Sequence, residues 1–138
     1  MNILYTAVAT AVGDGRNGSV RTSDGLLDVD LAVPTEMGGS GGSTNPEQLF
    51  AAGYAACFHN ALRRVARRAD ADVTASEVTA KVGIGSIGGG NFGLAVTLEV
   101  SLPAVDPETA RKLVDTAHQV CPYSNATRGN IDVNLVLH

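Results

Sequence analysis

The sequence predicts an α+β domain, and three observations carry that prediction. Short runs alternate apolar and polar residues at a period of two, the mark of half-buried strands. Two stretches open with helix-start residues and continue with apolar side chains at helical spacing. Glycine-rich turns separate these segments, giving the order three strands, helix, two strands, helix, strand.

Residues 3–12 alternate loosely and read as the first strand, ended by the turn-rich Gly13-Asp14-Gly15-Arg16-Asn17-Gly18. Residues 19–23 and 26–33 follow as two strands joined at Ser23-Asp24-Gly25. Leu27, Val29, Leu31 and Val33 fall on one face, with Asp28 and Asp30 on the other. Gly38-Gly39-Ser40-Gly41-Gly42-Ser43 is a flexible loop. About 37 residues before it are too few for a separate core, so the loop is internal and residues 1–138 are read as a single domain.

Thr44-Asn45-Pro46-Glu47 opens the first helix: Thr44 and Glu47 fit a capping box, and Pro46 suits a first turn, where its missing N–H costs nothing. Over residues 49–61 nearly every position is apolar or small, which predicts a helix buried on all sides. It emerges at Arg63, Arg64, Arg67 and Arg68, cations at the negative end of the helix dipole. So small a chain has difficulty covering such a helix, and a homodimer that sandwiches it is expected. Residues 77–84 and 92–102 are strands around a glycine-rich hairpin. Asp106-Pro107-Glu108 starts a second helix running to about Val120, with Leu113, Val114, Ala117 and Val120 on one stripe. Residues 131–137 close the chain as an alternating strand.

Composition narrows the function classes. Hydrophobic residues make up 44% and charged residues 17% of the 138, which excludes a disordered or supercharged chain. A net charge of -4 argues against broad contact with nucleic acid or an anionic membrane. No stretch approaches the roughly 18 apolar residues of a membrane span. The apolar first twelve residues lack the basic start and cleavage pattern of a signal peptide, so the expected location is cytoplasmic. Two cysteines are too few for a disulfide scaffold, and in a reducing cytosol any bond between them would be transient and catalytic.

Two motifs mislead. Gly83-Ile84-Gly85-Ser86-Ile87-Gly88 matches the dinucleotide fingerprint, but Gly89, Gly90 and a strand follow where the motif needs a helix to hold the pyrophosphate. It reads as a hairpin. Cys57, His59, His118 and Cys121 are four soft ligands, yet His59 lies about 200° around the helix from Cys57, so the two cannot share one metal. No metal or other cofactor is expected.

By base rate Cys57, in Ala55-Ala56-Cys57-Phe58, is a small buried hydrophobe whose burial makes it inert. Three features shift that reading. Cys121 follows 64 residues later, before Pro122; Glu47 and Arg16 are charges in unusual places; and no other nucleophile constellation competes. On local grounds alone Arg16 is a solvated turn residue and Glu47 a cap.

The chain resembles the organic hydroperoxide resistance (Ohr) branch of the Ohr/OsmC family. The matching residues are Thr44-Asn45-Pro46-Glu47-Gln48-Leu49-Phe50-Ala51-Ala52-Gly53-Tyr54-Ala55-Ala56-Cys57-Phe58 and Cys121-Pro122-Tyr123-Ser124-Asn125-Ala126-Thr127-Arg128-Gly129-Asn130. Gly15-Arg16-Asn17-Gly18 and Ser23-Asp24-Gly25-Leu26-Leu27-Asp28-Val29 match as well. His59 and Asn60 depart from it, standing where the family more often has apolar or small residues; if that face lines the substrate site, preference among hydroperoxides differs.

The resemblance implies an OsmC-like fold, antiparallel sheets packed around a long buried central helix, in an intertwined homodimer. It implies a thiol-dependent peroxidase that reduces organic hydroperoxides to alcohols. Cys57 would be the attacking thiolate, left as a sulfenic acid, and Cys121 would resolve it as an intramolecular disulfide. A dithiol, as on lipoylated proteins, would reduce the disulfide. The position of Cys121 at a helix C-terminus fits, since the dipole there disfavours a first thiolate. At an ordinary value near 8.5 only ~5–10% of a thiol is ionised at neutrality, so Cys57 is expected to be held lower. The family gives that task to the position of Arg16, held by the carboxylate at Glu47. Ten residues along one helix are about 15 Å, so Glu47 cannot touch its own Cys57. Either Arg16 spans the gap, the helix bends near Gly53, or Glu47 serves a partner subunit's site. Leu49, Phe50, Phe58, Phe92 and Tyr123 are candidates to hold the alkyl group, whose burial is worth ~0.8 kcal/mol per CH₂. The OsmC branch is the nearest alternative; a redox switch that reacts once is the competing class.

Overall fold

A computed structural model describes all residues from Met1 to His138. The chain divides into two compact units, Met1–Leu49 and Phe50–His138.

In the first unit, strands β1 (Ala9–Val12), β2 (Ser19–Thr22) and β3 (Asp28–Asp30) form an antiparallel sheet in that order. Val12 faces Ser19 and Arg21 faces Asp28. The β2–β3 turn is closed by Asp24, whose carboxylate accepts from the Thr22 hydroxyl and the Leu26 N–H. The predicted alternation holds: Leu27 and Val29 are partly buried and Leu31 buried, while Asp28 and Asp30 are exposed. The predicted first strand is realised only from Ala9, because β2 ends at Thr22 and leaves residues 1–8 no strand to pair with. Ile3, Leu4, Tyr5 and Val8 are exposed there. After β3 the chain leaves the sheet at Leu31, which bridges Thr44 in parallel, and the Ala32 N–H donates to the Thr44 carbonyl. This pins the entry to the first helix.

Helix α1 (Pro46–Arg68) begins at the end of that unit and runs on as the spine of the second. Its cap corrects the sequence reading. The Asn45 carboxamide oxygen accepts the Gln48 N–H, while the Thr44 hydroxyl donates to the Gln48 side chain. Glu47 is thereby left free for another partner.

In the second unit, strands β4 (Glu77–Gly88), β5 (Asn91–Ser101) and β6 (Val133–Leu137) form a sheet in that order. The first pair is antiparallel. The second is parallel, with Val96 beside Val133, because helices α2 (Pro107–Val120) and α3 (Pro122–Thr127) carry the chain back across. Gly83–Gly88 is strand and turn: Gly88, Gly89 and Gly90 all take positive φ, the conformation a tight hairpin demands. Asp106 caps α2 by accepting the Thr109 N–H. The core packs Tyr54, Phe58, Leu62 and Ala66 of α1 with Val96, Leu98 and Val100 of β5 and Leu113, Val114 and Ala117 of α2.

Helix α1 is not buried on all sides in the single chain. Its core face follows a four-residue spacing, and Ala52, Ala56 and Asn60 on another stripe are exposed. Val120, placed on the α2 stripe by spacing, is 46% exposed because α2 ends there. Helix α3 was not predicted: Pro122 reads as a helix stop, and it both ends α2 and starts α3. No helix is long and apolar enough to cross a membrane.

Candidate active site

The second unit brings the two cysteines together. Cys57 stands on α1 four residues past the glycine that faces Tyr123, and Cys121 occupies the junction between α2 and α3. Both are free thiols, with 3.7 Å between sulfurs. A disulfide needs ~2.05 Å, so a further approach of about 1.7 Å closes it. The two differ in access: Cys121 is fully buried and Cys57 only partly.

Burial pushes the Cys57 thiol above its ordinary value, the backbone N–H of Tyr123 draws it down, and the adjacent Cys121 thiol adds to the rise. The sequence leads one to expect a thiol held low, and the immediate surroundings work the other way, since they are largely apolar. The exception is instructive. Tyr123 follows Pro122 in the first turn of α3, where an N–H has no partner within its helix, and its backbone dipole is what draws Cys57 down. Cys121 therefore ends one helix and opens the next, which removes the simple argument that a helix C-terminus disfavours its thiolate.

An aromatic cluster links α1, which carries Cys57, to the first turn of α3, just after Cys121, and the cleft it walls is lined by neither cysteine. Phe50 meets Tyr54 edge-on at 6.0 Å, and the Tyr123 ring lies 6.2 Å from Phe50 and 5.7 Å from Tyr54. Phe50 and Tyr123 line an open cleft of about 490 Å³ with Phe92, Leu94 and Ile131, and Thr127 and Asn130 lie on its edge. Phe58 does not line it: the ring is wholly buried in the core. Below the cluster is a polar network that sequence reasoning missed. The Tyr54 hydroxyl bonds those of Ser124 (2.9 Å) and Thr127 (3.1 Å), and His118 Nδ1 bonds Ser124 Oγ at 2.8 Å. A phenol within the apolar run of α1, three residues before Cys57, was its one sequence signal. His59 bonds the Ser76 hydroxyl through Nε2.

The first unit brings Arg16 and Glu47 together in a two-pronged ion pair, Nη1 to Oε2 at 2.8 Å and Nη2 to Oε1 at 2.6 Å. Arg16 sits in a single 3₁₀ turn after β1. That turn is shaped by Gly18, where a Cβ would lie 2.1 Å from the Val12 carbonyl, and tied by the Asn17 side chain to the Val33 N–H. The Arg16 bond lowers the Glu47 carboxyl despite partial burial, and the pair holds the guanidinium charged. Neither the solvated turn nor the capping box describes these residues.

A neighbouring pair of free thiols, one accessible and one buried, in an α+β scaffold defines a dithiol redox protein. The OsmC-like protein family model matches residues 39–136. The organic hydroperoxide resistance protein of Xanthomonas axonopodis pv. citri is 55% identical over 98% of this chain and 95% of its own length. OhrB of Bacillus subtilis is 47% identical, over 97% and 98%. The crystal structure of an organic hydroperoxide resistance protein OsmC from Legionella pneumophila superposes with a TM-score of 0.94 at 50% identity, covering 99% of this chain and 98% of that one. The chain belongs to the Ohr/OsmC family, on its Ohr branch. It is a thiol-dependent peroxidase.

Proposed function

We propose that the protein reduces organic hydroperoxides to alcohols through Cys57 and Cys121, and so protects against organic peroxide stress. The observation that carries this reading is the 3.7 Å approach of an accessible Cys57 sulfur to a buried Cys121 sulfur. The Cys57 thiolate attacks the distal oxygen of the peroxide, the O–O bond breaks, and the alkoxide takes a proton and leaves as alcohol. Cys57 is left as a sulfenic acid. Cys121 gives up its thiol proton as its sulfur attacks that sulfur; the displaced hydroxide takes up a proton and leaves as water, and the disulfide forms.

Arg16 takes the role that the family gives its position, that of a fixed positive charge for the thiolate. Glu47 occupies two of the five guanidinium N–H donors, so three stay available for a thiolate, a peroxide oxygen or the developing alkoxide. Phe50 and Tyr123 receive the alkyl group in the apolar cleft, with Phe92 taking the place expected of Phe58. A small dithiol of the dihydrolipoyl kind, carried by a lipoylated protein, reduces the disulfide in the cytoplasm. The two units work as one domain within a homodimer. The exposed Ile3, Leu4, Tyr5 and Val8 of the amino-terminal arm, and Ile87 and Phe92 around the β4–β5 turn, support a second copy as their cover.

Intact mass and free-thiol counting after one equivalent of cumene hydroperoxide, beside a hydrogen peroxide sample, test the chemistry. The expected result is a loss of about two mass units and of both thiols within one chain, faster with the organic peroxide. Survival of both thiols would make Cys57 a core residue and end this reading. Repeated turnover with dihydrolipoamide separates an enzyme from a switch that reacts once.

A further inference from the structure

The buried hydroxyls of Tyr54, Ser124 and Thr127 form a hydrogen-bonded chain with a definite direction. Thr127 Oγ1 lies 2.9 Å from the Tyr123 carbonyl, which can only accept, so the Thr127 proton is spent there. Thr127 therefore accepts from Tyr54, and the Tyr54 proton is spent in turn. Ser124 must then donate to Tyr54 and accept from His118 Nδ1–H. The direction of the path is thereby set, with the Thr127 proton at its end shared between the Tyr123 and Ser124 carbonyls at 2.9 and 3.2 Å. The chain crosses from α2 through α3 to α1 and returns to α3. Tyr54 and Ser124 are wholly buried and Thr127 is 6% exposed, so no water replaces a missing partner cheaply. Ser124 is the junction: it is the hydroxyl bonded from both other helices, and it lies three residues after Cys121 and one after the Tyr123 N–H that serves Cys57.

We propose that Ser124 is the positioning residue of the resolving step, holding the start of α3 between Tyr54 and His118 so that Cys121 stays against Cys57. The inference rests on the two-cysteine peroxidase reading above. Once Cys57 is a sulfenic acid it has two fates. It condenses with Cys121, giving disulfide and water, or it takes an oxygen from a second hydroperoxide, giving sulfinic acid and alcohol. The first rate depends on how often the Cys121 sulfur is within reach, and a displacement of about 1 Å at a reacting centre costs up to ~10²-fold. The buried chain sets that displacement for the whole α3 start.

The test uses the reduced full-length protein, titrated with excess cumene hydroperoxide and read by intact mass. Disulfide appears as a loss of about two mass units and sulfinic acid as a gain of about 32. In Ser124→Ala the peroxide concentration that over-oxidises half the protein should fall about tenfold, the equivalent of about 1.4 kcal/mol. His118→Leu should fall similarly. His118→Asn, whose amide can donate near the Nδ1 position, should recover most of the wild-type value, a rescue that loss of packing alone would not produce. A second readout is the equilibrium of the Cys57–Cys121 disulfide with a glutathione buffer, which needs no peroxide chemistry and should weaken by a similar factor in Ser124→Ala.

A folded Ser124→Ala protein with wild-type values in both measurements overturns the proposal. Should that variant not fold, equal values for His118→Leu and His118→Asn overturn it. If the wild type ignores the hydroperoxide while the glutathione equilibrium still shifts in the variant, the peroxidase reading falls and the positioning role stands.

Discussion

Gly53 lies in the interior of α1, where alanine is favoured over glycine by about 0.8–1 kcal/mol. Against that gain stands one neighbour. A Cβ at Gly53 would meet Tyr123 Oη at 3.0 Å, Cε2 at 3.2 Å and Cζ at 3.5 Å. Comfortable contacts between carbons fall at about 3.5–4.0 Å, so the ring must retreat by roughly 0.3–0.8 Å. Tyr123 is 39% exposed and walls an open cleft, so it has room to do so. Moving it loosens its packing on Phe50 and Tyr54, pairs worth about 0.5–1.5 kcal/mol each at best geometry, of which a small shift forfeits a fraction. Gly53→Ala should therefore stabilise the protein by about 0–1 kcal/mol, a rise in Tm of up to ~4 °C. The displaced ring intrudes on the cleft, so kcat/KM should fall more for cumene hydroperoxide than for tert-butyl hydroperoxide. Urea unfolding and steady-state kinetics on the two substrates read both effects. A destabilisation beyond about 1 kcal/mol would mean that the ring cannot move, and would refute the argument for an adaptable aromatic wall.

Asn45→Ala removes the α1 cap and should cost about 1 kcal/mol in urea unfolding, whereas Thr44→Ala should cost less; the reverse order would restore the capping box. Glu47→Gln replaces a charged two-pronged partner of Arg16 with a neutral one, and kcat/KM for hydroperoxide should drop about tenfold or more while the fold persists; unchanged kinetics would remove Arg16–Glu47 from the mechanism. Cys121→Ser should leave one alcohol per chain followed by over-oxidation of Cys57, seen by mass, and sustained dithiol turnover in that variant would exclude Cys121 as the resolving thiol. Burial, then the Arg128 charge, hold His118 below its ordinary 6.5, with Asp115 pulling the other way. A folded value below the unfolded one gives stability that is present above 6.5 and lost as pH falls through the folded value. The wild-type urea midpoint should therefore drop from about pH 7 to about pH 5 more steeply than that of His118→Asn; parallel curves would show that His118 does not titrate differently in the two states.

Elements with strong local signals were legible in the sequence. The alternation of Leu27, Val29 and Leu31 against Asp28 and Asp30 needs only a period of two, and the Asp106-Pro107 start of α2 needs only its own first turn. Elements that depend on a partner were less so. Residues 3–8 have strand composition and no strand beside them, so β1 is short. Helix α3 is six residues long, too few for a periodic signal, and its initiating Pro122 looks the same as a terminator. The cap of α1 is Asn45 rather than Thr44, and the Glu47 carboxylate goes instead to Arg16, 31 positions away, a contact that no local pattern displays. In the candidate site, the cysteines and the Arg16–Glu47 pairing were legible through family motifs, whereas Phe58 was misplaced because a phenylalanine beside a cysteine on a helix points about 100° away from it.

Chain order alone carries the residue types of the chemistry: two thiols, an arginine in a glycine turn, a carboxylate at a helix start, and an α+β order of elements to hold them. These are local or motif-borne, so no long-range contact had to be known. The tertiary structure alone brings residues 64 positions apart to a 3.7 Å sulfur separation and leaves one thiol reachable and the other sealed. It alone decided that Tyr54, Ser124 and His118 meet. Their side chains come from three helices, and a hydrogen bond between residues 70 positions apart leaves no periodicity for a sequence to display.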